Sequence, residues 1–296
     1  MKPSYLIILL VMNFFWAAVY SAYKLLGHDL PAGAIVTLRF GLAGLILLVA
    51  WRWLPGPAPR GRDLLVTCGM GLMLYVGGQR LQVYGNQIGS AGNSAVLMAV
   101  EPLLTSVAAA IFLREHIGPR RLIGFVLGMI GVALLNGLGR ADFQWTSLGA
   151  SLIFLSSFVC EAAYSVMGKP IVTRASPMKM LAISISVGTV TNLLIDGRDT
   201  FAKAQTLTLD AWLLIFALAL ICTAIGYSLW FIIIRDCPVN VAALTIFSQA
   251  VFGVIIARVW LKEELHWGQF WGSLAILAGL VFGLSRQITH VRKIQA

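Results

Sequence analysis

The sequence predicts an all-α membrane protein of ten transmembrane helices, arranged as two inverted five-helix repeats with both termini cytoplasmic. Three observations carry this: an apolar composition divided into span-length stretches, a lopsided distribution of Lys and Arg, and self-similarity at half the chain length. Hydrophobic residues make up 59% of the 296 and charged residues 11%, against roughly 25% charged in a soluble domain. Such a chain fits lipid as its solvent.

A bilayer core asks for about 20 mostly apolar residues per helix, and ten stretches qualify. In order they are Tyr5 to Leu26, Pro31 to Trp53, Leu64 to Tyr84, Gly92 to Leu113, Leu122 to Leu138, Leu148 to Met167, Met178 to Ile195, Asp210 to Ile234, Asn240 to Leu261 and Trp267 to Ser285. The first follows Lys2 but contains Asn13, Phe14, Phe15 and Trp16 and has no small-residue cleavage site, so it is expected to be a retained helix and not a signal peptide. The intervals between stretches are too short for a soluble domain.

The net charge of +10 does not indicate nucleic acid, because a nucleic-acid binder gathers its Lys and Arg on one solvated face. Here they sit at helix ends. With the N-terminus inside, the inner side collects fourteen: Lys2, Arg52, Arg60, Arg62, Arg114, Arg120, Arg121, Lys169, Arg174, Lys179, Arg235, Arg286, Arg292 and Lys293. The outer loops hold four, Arg140, Arg198, Lys203 and Lys262, as the positive-inside rule requires of a bacterial inner-membrane protein. Cys68, Cys160, Cys222 and Cys237 match neither a disulfide framework nor a metal site and are expected to be packing residues.

Sliding the sequence by half its length brings Leu113-Arg114-Glu115 onto Leu261-Lys262-Glu263, Gly124 onto Gly272 and Gly131 onto Gly279. Gly78 falls on Gly226, Ala95 on Ala243 and Glu101 on Gln249; with a small slip, Ala17, Ala18 and Lys24 meet Ala162, Ala163 and Lys169, and Pro31 meets Pro177. The expected units are therefore residues 1–147 and 148–296. Five helices is an odd number, so the second unit enters the membrane from the opposite side. Inverted repeats mark secondary transporters, whose substrate binds near the midplane between the repeats.

Trp16 and Lys24 in the first helix, Arg39-Phe40 in the second, and Glu115 followed by Gly124 and Gly131, echoed by Glu263, Gly272 and Gly279, resemble the EamA-type ten-helix branch of the drug/metabolite transporter superfamily. The resemblance covers the whole chain. It implies a transporter of small metabolites, and most closely an exporter of amino acids, including aromatic ones, while cationic drugs, purines and nucleosides stay open as cargo.

No catalytic dyad or metal-ligand cluster falls within the spans, and neither an enzyme nor a cofactor or metal is expected. A carboxylate in lipid costs at least ~2.5 kcal/mol and therefore faces a cavity or a partner. Glu101 and Glu161 are the two acids within spans. Glu101 is followed by Pro102, which frees the carbonyl of Met98. It is expected either to line a cavity, binding substrate ammonium or a coupled proton, or to pair with Arg39 or Arg80. Glu161 either shares that role or snorkels to the headgroups, with Lys169 on nearly the same face. Gln79 and Gln82 share a face near Tyr84; Tyr227 and Trp230 repeat that spacing; Asn13, Tyr20, Tyr164 and Gln249 complete the candidate lining. Amides, phenols, apolar walls and one carboxylate suit a neutral or zwitterionic solute, or an organic cation. Gly124-x-x-x-Gly128 and Gly279-x-x-x-Gly283 are expected to pack helices within each half of a monomer.

The charge asymmetry sets the first prediction. Reporter fusions after Ala296 and after Arg140 should read cytoplasmic and external, respectively; the reverse pattern would sink the inverted arrangement.

Overall fold

A computed structural model describes residues 1–88, 100–135, 148–261 and 267–294, and the regular structure among them is helical throughout. The helices are α1 (Pro3–Leu26), α2 (Ala32–Val49), α3 (Arg62–Ile88), α4 (Val100–Phe112), α5 (Pro119–Leu135), α6 (Leu148–Val172), α7 (Pro177–Ala204) and α8 (Leu209–Asp236). Then α9 runs Val239–Leu244, passes through a 3-10 turn at Thr245–Phe247 and resumes as Ser248–Leu261, and α10 is Trp267–Ile294. Local chemistry sets the starts. Proline opens α1 and α7, where its missing N–H would be unpaired anyway. Ser176 and Thr208 cap α7 and α8 by accepting from the backbone N–H groups of Lys179 and Ala211.

Among the described residues α1, α2, α3, α7, α8 and the Leu152–Val172 part of α6 are long and apolar enough to cross a membrane; Val100–Phe112, Val239–Gly253 and Phe270–Leu284 are apolar but shorter. The expected start at Gly92, the Met98 carbonyl, Arg140, Lys262 and Glu263 lie outside the described residues. Several boundaries differ from expectation: α3 reaches Ile88 instead of Tyr84, α6 reaches Val172 instead of Met167, and α10 reaches Ile294 instead of Ser285. Helix α2 stops at Val49 instead of Trp53, ahead of Pro55-Gly56-Pro57, which no helix continues through. Helix α7 runs past Ile195 to Ala204, with a kink at Asp196 (φ −140°, ψ 20°). Asp196 therefore lies inside a helix and not, as expected, at a boundary.

Two helices are locally unwound in the same way: α3 is π-helical over Leu72–Gly78 and α8 over Leu218–Ile225. A π turn disturbs the regular ladder, and a side chain from elsewhere meets a carbonyl in each. Asn192 Nδ2 donates to the Tyr75 carbonyl at 2.9 Å, and Trp16 Nε1 donates to the Cys222 carbonyl at 2.9 Å. In α9, Thr245 and Ser248 hydroxyls bond back to the carbonyls of Ala242 and Thr245, each at 2.7 Å. Such back-bonding competes with the helical ladder and accompanies the 3-10 turn.

Packing pairs α2 with α7, α5 with α10, α4 with α6, α1 with the second part of α9, and α3 with both α6 and α7. Tyr23, Phe40, Tyr75, Tyr164 and Phe231 are fully buried at the centre, while Leu194 and Phe112 are exposed on the outer surface. The four cysteines are free, and in the α8–α9 turn burial pushes the Cys237 thiol up to about 11. The expectation that each glycine motif packs within its own half is not met. A Cβ on Gly124 would lie 2.9 Å from the Gly279 carbonyl oxygen, one on Gly279 would lie 2.9 Å from the Gly124 oxygen, and one on Gly131 would lie 2.6 Å from the Gly272 oxygen. The glycine face of α5 meets that of α10 across the two halves, because only two such faces together let backbones approach this closely.

Replacing Gly279 with Leu should therefore overpack the α5–α10 contact at a cost of roughly 1–3 kcal/mol or more, seen as a lower melting temperature in detergent. Transport per folded molecule should survive. Normal stability would show that the contact is loose.

Candidate functional site

One cavity of about 70 Å³ lies among seven helices. Trp16, Val19 and Tyr20 reach it from α1, Arg39 from α2, Gln79 and Gln82 from α3, and Glu101 and Thr105 from α4. Glu161 and Ser165 come from α6, Tyr227 and Trp230 from α8, Ile246 and Gln249 from α9. Six helices contribute residues three or four apart, the spacing that places both on one helical face. The half-chain shift relates Gln79 to Tyr227, Gln82 to Trp230 and Glu101 to Gln249, and the slipped shift relates Trp16 to Glu161 and Tyr20 to Ser165. Equivalent positions of the two halves thus line one cavity with unlike side chains.

The polar lining is bound into a chain. Arg39 Nε donates to Thr223 Oγ1 at 2.9 Å, and Arg39 Nη1 donates to the Tyr23 hydroxyl. The guanidinium lies 4.8 Å from the Phe40 ring centroid and 5.6 Å from that of Tyr23, so cation–π attraction partly replaces lost water. Tyr23 donates to Gln79 Oε1 at 3.3 Å, and Gln79 Nε2 donates to Glu161 Oε1 at 2.5 Å. Tyr227 donates to the same oxygen at 3.1 Å. On the far wall Gln249 Nε2 donates to Asn13 Oδ1 at 2.9 Å, and Asn13 Nδ2 donates to the Thr245 carbonyl at 2.9 Å. Trp230 Nε1 donates to Ser165 Oγ at 3.2 Å, and the Trp16 ring lies 6.1 Å from Tyr227 and 6.2 Å from Trp230.

Glu101 is the exception. Its carboxylate has no hydrogen-bond or ion-pair partner among the described residues, although it lines the cavity together with Arg39 and Glu161. The expected pairing of Glu101 with Arg39 or Arg80 is absent there. Arg39 bonds to hydroxyls, and Arg80, outside the cavity, forms an ion pair with Asp196 and donates to Asn192 at 2.9 Å. A Cβ on Gly33 would meet the tips of both side chains, so a larger residue there would oblige the pair to shift. Arg39 Nη2 likewise meets no acceptor among the described residues.

Of the residues expected in the lining, Tyr20, Gln79, Gln82, Glu101, Tyr227, Trp230 and Gln249 reach the cavity, as do Arg39 and Glu161. Asn13 stands behind Gln249 as its support. Tyr164 is buried away from the cavity, its hydroxyl accepting from Tyr75 at 3.0 Å and 2.8 Å from Ser184 Oγ. Tyr84 is 48% exposed on the outer surface, one residue off the Gln79–Gln82 face. Glu161 does not snorkel: the amide and phenol hold it inside. Lys169, expected near it, instead donates to Glu115 at 2.8 Å and to the Cys237 carbonyl at 2.9 Å, while Glu115 accepts from the N–H groups of Val239 and Asn240. Trp16, Val19, Thr105, Ser165 and Ile246 were not anticipated; shifting Glu161 and Tyr20 onto the other half would have found Trp16 and Ser165.

The EamA-like transporter family matches the chain twice, over residues 3–137 and 147–284. The chain is similar to YetK, an uncharacterised transporter of Bacillus subtilis, at 26% identity over 269 residues (87% of this chain, 79% of the relative). It is also similar to a probable amino-acid metabolite efflux pump of Salmonella typhimurium, at 26% over 300 residues (95% of each). A probable terminal-alkyne amino-acid exporter of Streptantibioticus cattleyicolor is 24% identical over 270 residues (88% of this chain, 86% of the relative). A crystal structure with a TM-score of 0.77 and 17% identity covers 97% of this chain and 99% of its own, and thereby shares the fold.

The Asn13–Gln249 bond yields a prediction about the cavity wall. Asn13→Leu and Gln249→Leu should each destabilise by roughly 1–3 kcal/mol through the stranded partner, and the double variant should lose less than the sum. Strict additivity in thermal melts would show that the two amides do not depend on each other.

Proposed function

The chain belongs to the EamA-like transporter family of multi-pass membrane proteins, and on that premise we propose that it exports small zwitterionic metabolites, amino acids foremost, by alternating access around the central cavity. The observation that carries the reading is the Glu101 carboxylate, without a partner among the described residues, in a cavity that also presents the buried Arg39 guanidinium. A zwitterion brings an ammonium for the first and a carboxylate for Arg39 Nη2, and Trp16, Tyr20 and Trp230 offer walls to an apolar side chain. The relatives described as an amino-acid efflux pump and an amino-acid exporter support the same cargo. At about 70 Å³ the cavity is smaller than the ~300 Å³ at which ligand pockets begin, so lining side chains must move apart to admit a solute.

In the proposed architecture ten spans form two inverted halves in a bacterial inner membrane, with both termini cytoplasmic. Support comes from the family's double match, from the π turns at corresponding places in α3 and α8, and from pairings such as α2 with α7 and α5 with α10, which join equivalent helices. Helices related by such an axis can exchange environments between inward-open and outward-open forms. A second cargo class is favoured by one specific feature: two carboxylates, Glu101 and Glu161, share the cavity with one guanidinium beside aromatic faces, which suits an organic cation.

Glu101→Gln keeps the shape and deletes the charge. Affinity for neutral amino acids in proteoliposome counterflow should fall by the ~1.5–3 kcal/mol of a hydrogen bond to a charged group, with little loss for solutes lacking a positive nitrogen. Retained exchange with loss of uphill flux under a pH gradient would instead make Glu101 a proton carrier. Arg39→Gln discriminates the cargoes: it should impair zwitterions and spare organic cations. Unchanged binding and flux in both variants would remove these residues from the site.

A further inference from the structure

Away from the cavity, a groove of about 590 Å³ runs between the end of α2 and the first half of α7. Its walls are Leu48, Val49, Ile183 and Val187, and Trp51 and Arg52 stand at its mouth. Val49 is 68% exposed, so in a membrane this wall faces lipid. Lys179, in the first turn of α7, places Nζ 5.6 Å from the Trp51 ring centroid and donates to the Gly56 carbonyl at 2.8 Å. Arg52 has no hydrogen-bond or ion-pair partner among the described residues, and Asp63, the next acid along the chain, is already engaged by Arg174 at 2.8 and 3.1 Å.

We propose that this groove is a binding site for one anionic phospholipid, whose acyl chain lies along the α2 and α7 walls and whose phosphate rests between Arg52 and Lys179. Three features choose this occupant. Two cations with no ion-pair partner among the described residues complement a negative headgroup, and basic pockets between helices at the membrane surface are the recognised form of such sites. The indole of Trp51 marks the depth at which headgroup and chain meet. The apolar walls of Leu48, Val49, Ile183 and Val187 give an acyl chain a bed running away from the two cations. A soluble anion would use the rim and leave the apolar walls bare; a zwitterionic lipid would fill the walls and leave the guanidinium without a countercharge. Under the proposed orientation the lipid belongs to the cytoplasmic leaflet. Binding to the folded protein alone would stabilise it by mass action.

Delipidated full-length protein, titrated in detergent with phosphatidylglycerol or phosphatidylcholine of identical chains and observed by native mass spectrometry, tests the site. Wild-type protein should retain phosphatidylglycerol preferentially and melt at a higher temperature in its presence. The affinity should fall about fivefold for Arg52→Gln and about 30-fold for Arg52→Gln with Lys179→Gln, bringing the double variant down to the phosphatidylcholine level. Arg60→Gln with Arg62→Gln removes as much charge from the same loop without touching the groove and should leave the preference in place. Equal retention of the two lipids by wild type, an unchanged preference in the Arg52 variants, or an equal loss in the Arg60/Arg62 control would each overturn the proposal. The single Arg52→Gln variant keeps the test decisive even if the double variant does not fold.

Discussion

Hydrocarbon offers no hydrogen bonds, so each polar group inside this bundle must find its partner within the protein or face a cavity. The central architecture follows from that constraint. Arg39 is buried on α2 beside Thr223, which lies within the π turn of α8, and Tyr23 of α1, and Tyr23 leads through Gln79 to Glu161. That one chain of donors and acceptors ties α1, α2, α3, α6 and α8 together. Were Gln79 apolar, Glu161 would keep only the Tyr227 hydroxyl, and the Tyr23 hydroxyl would lose its acceptor. The cost of stranding such groups is roughly 1–3 kcal/mol each, more where a charge is involved.

The same constraint accounts for the two π turns. Winding out of the regular ladder leaves a carbonyl poorly paired, and in each case a side chain from a different helix meets one: Asn192 the Tyr75 oxygen, Trp16 the Cys222 oxygen. These are also the places where α3 and α8 widen to hold the cavity, with Gln79 and Tyr227 at or just past the end of each turn. Unwinding, capping and lining are thus coupled. A side chain that lines the cavity, Trp16, also secures the backbone of the helix opposite.

Against this near-symmetric frame the chemistry is unsymmetric. A carboxylate stands opposite an amide (Glu101 and Gln249), an amide opposite a phenol (Gln79 and Tyr227), an indole opposite a carboxylate (Trp16 and Glu161). In the proposed alternating-access cycle, equivalent positions supply two comparable arrangements, whereas unlike residues give a solute distinguishable ends.

The apolar stretches made the helical membrane class legible, because helix length and apolarity in lipid depend on composition alone. Residues with a single feasible position were legible too: Gln79 with Gln82, and Tyr227 with Trp230, share faces by spacing, and Glu101 and Gln249, each within an expected span, had to face something polar. What the sequence could not rank was partner choice. Arg39, Arg80, Lys169 and Lys24 are each a cation near a helix, and nothing local distinguishes the one that pairs with Asp196 from the one that rests on Tyr23. Tyr84 and Tyr164 failed as lining for the same reason, since one residue of rotation moves a side chain about 100° around the helix. Which glycines meet was likewise fixed by how the halves cross. Tertiary structure alone decided these matters, because contacts between helices depend on rotation and crossing, which are set by the packing of all the helices together.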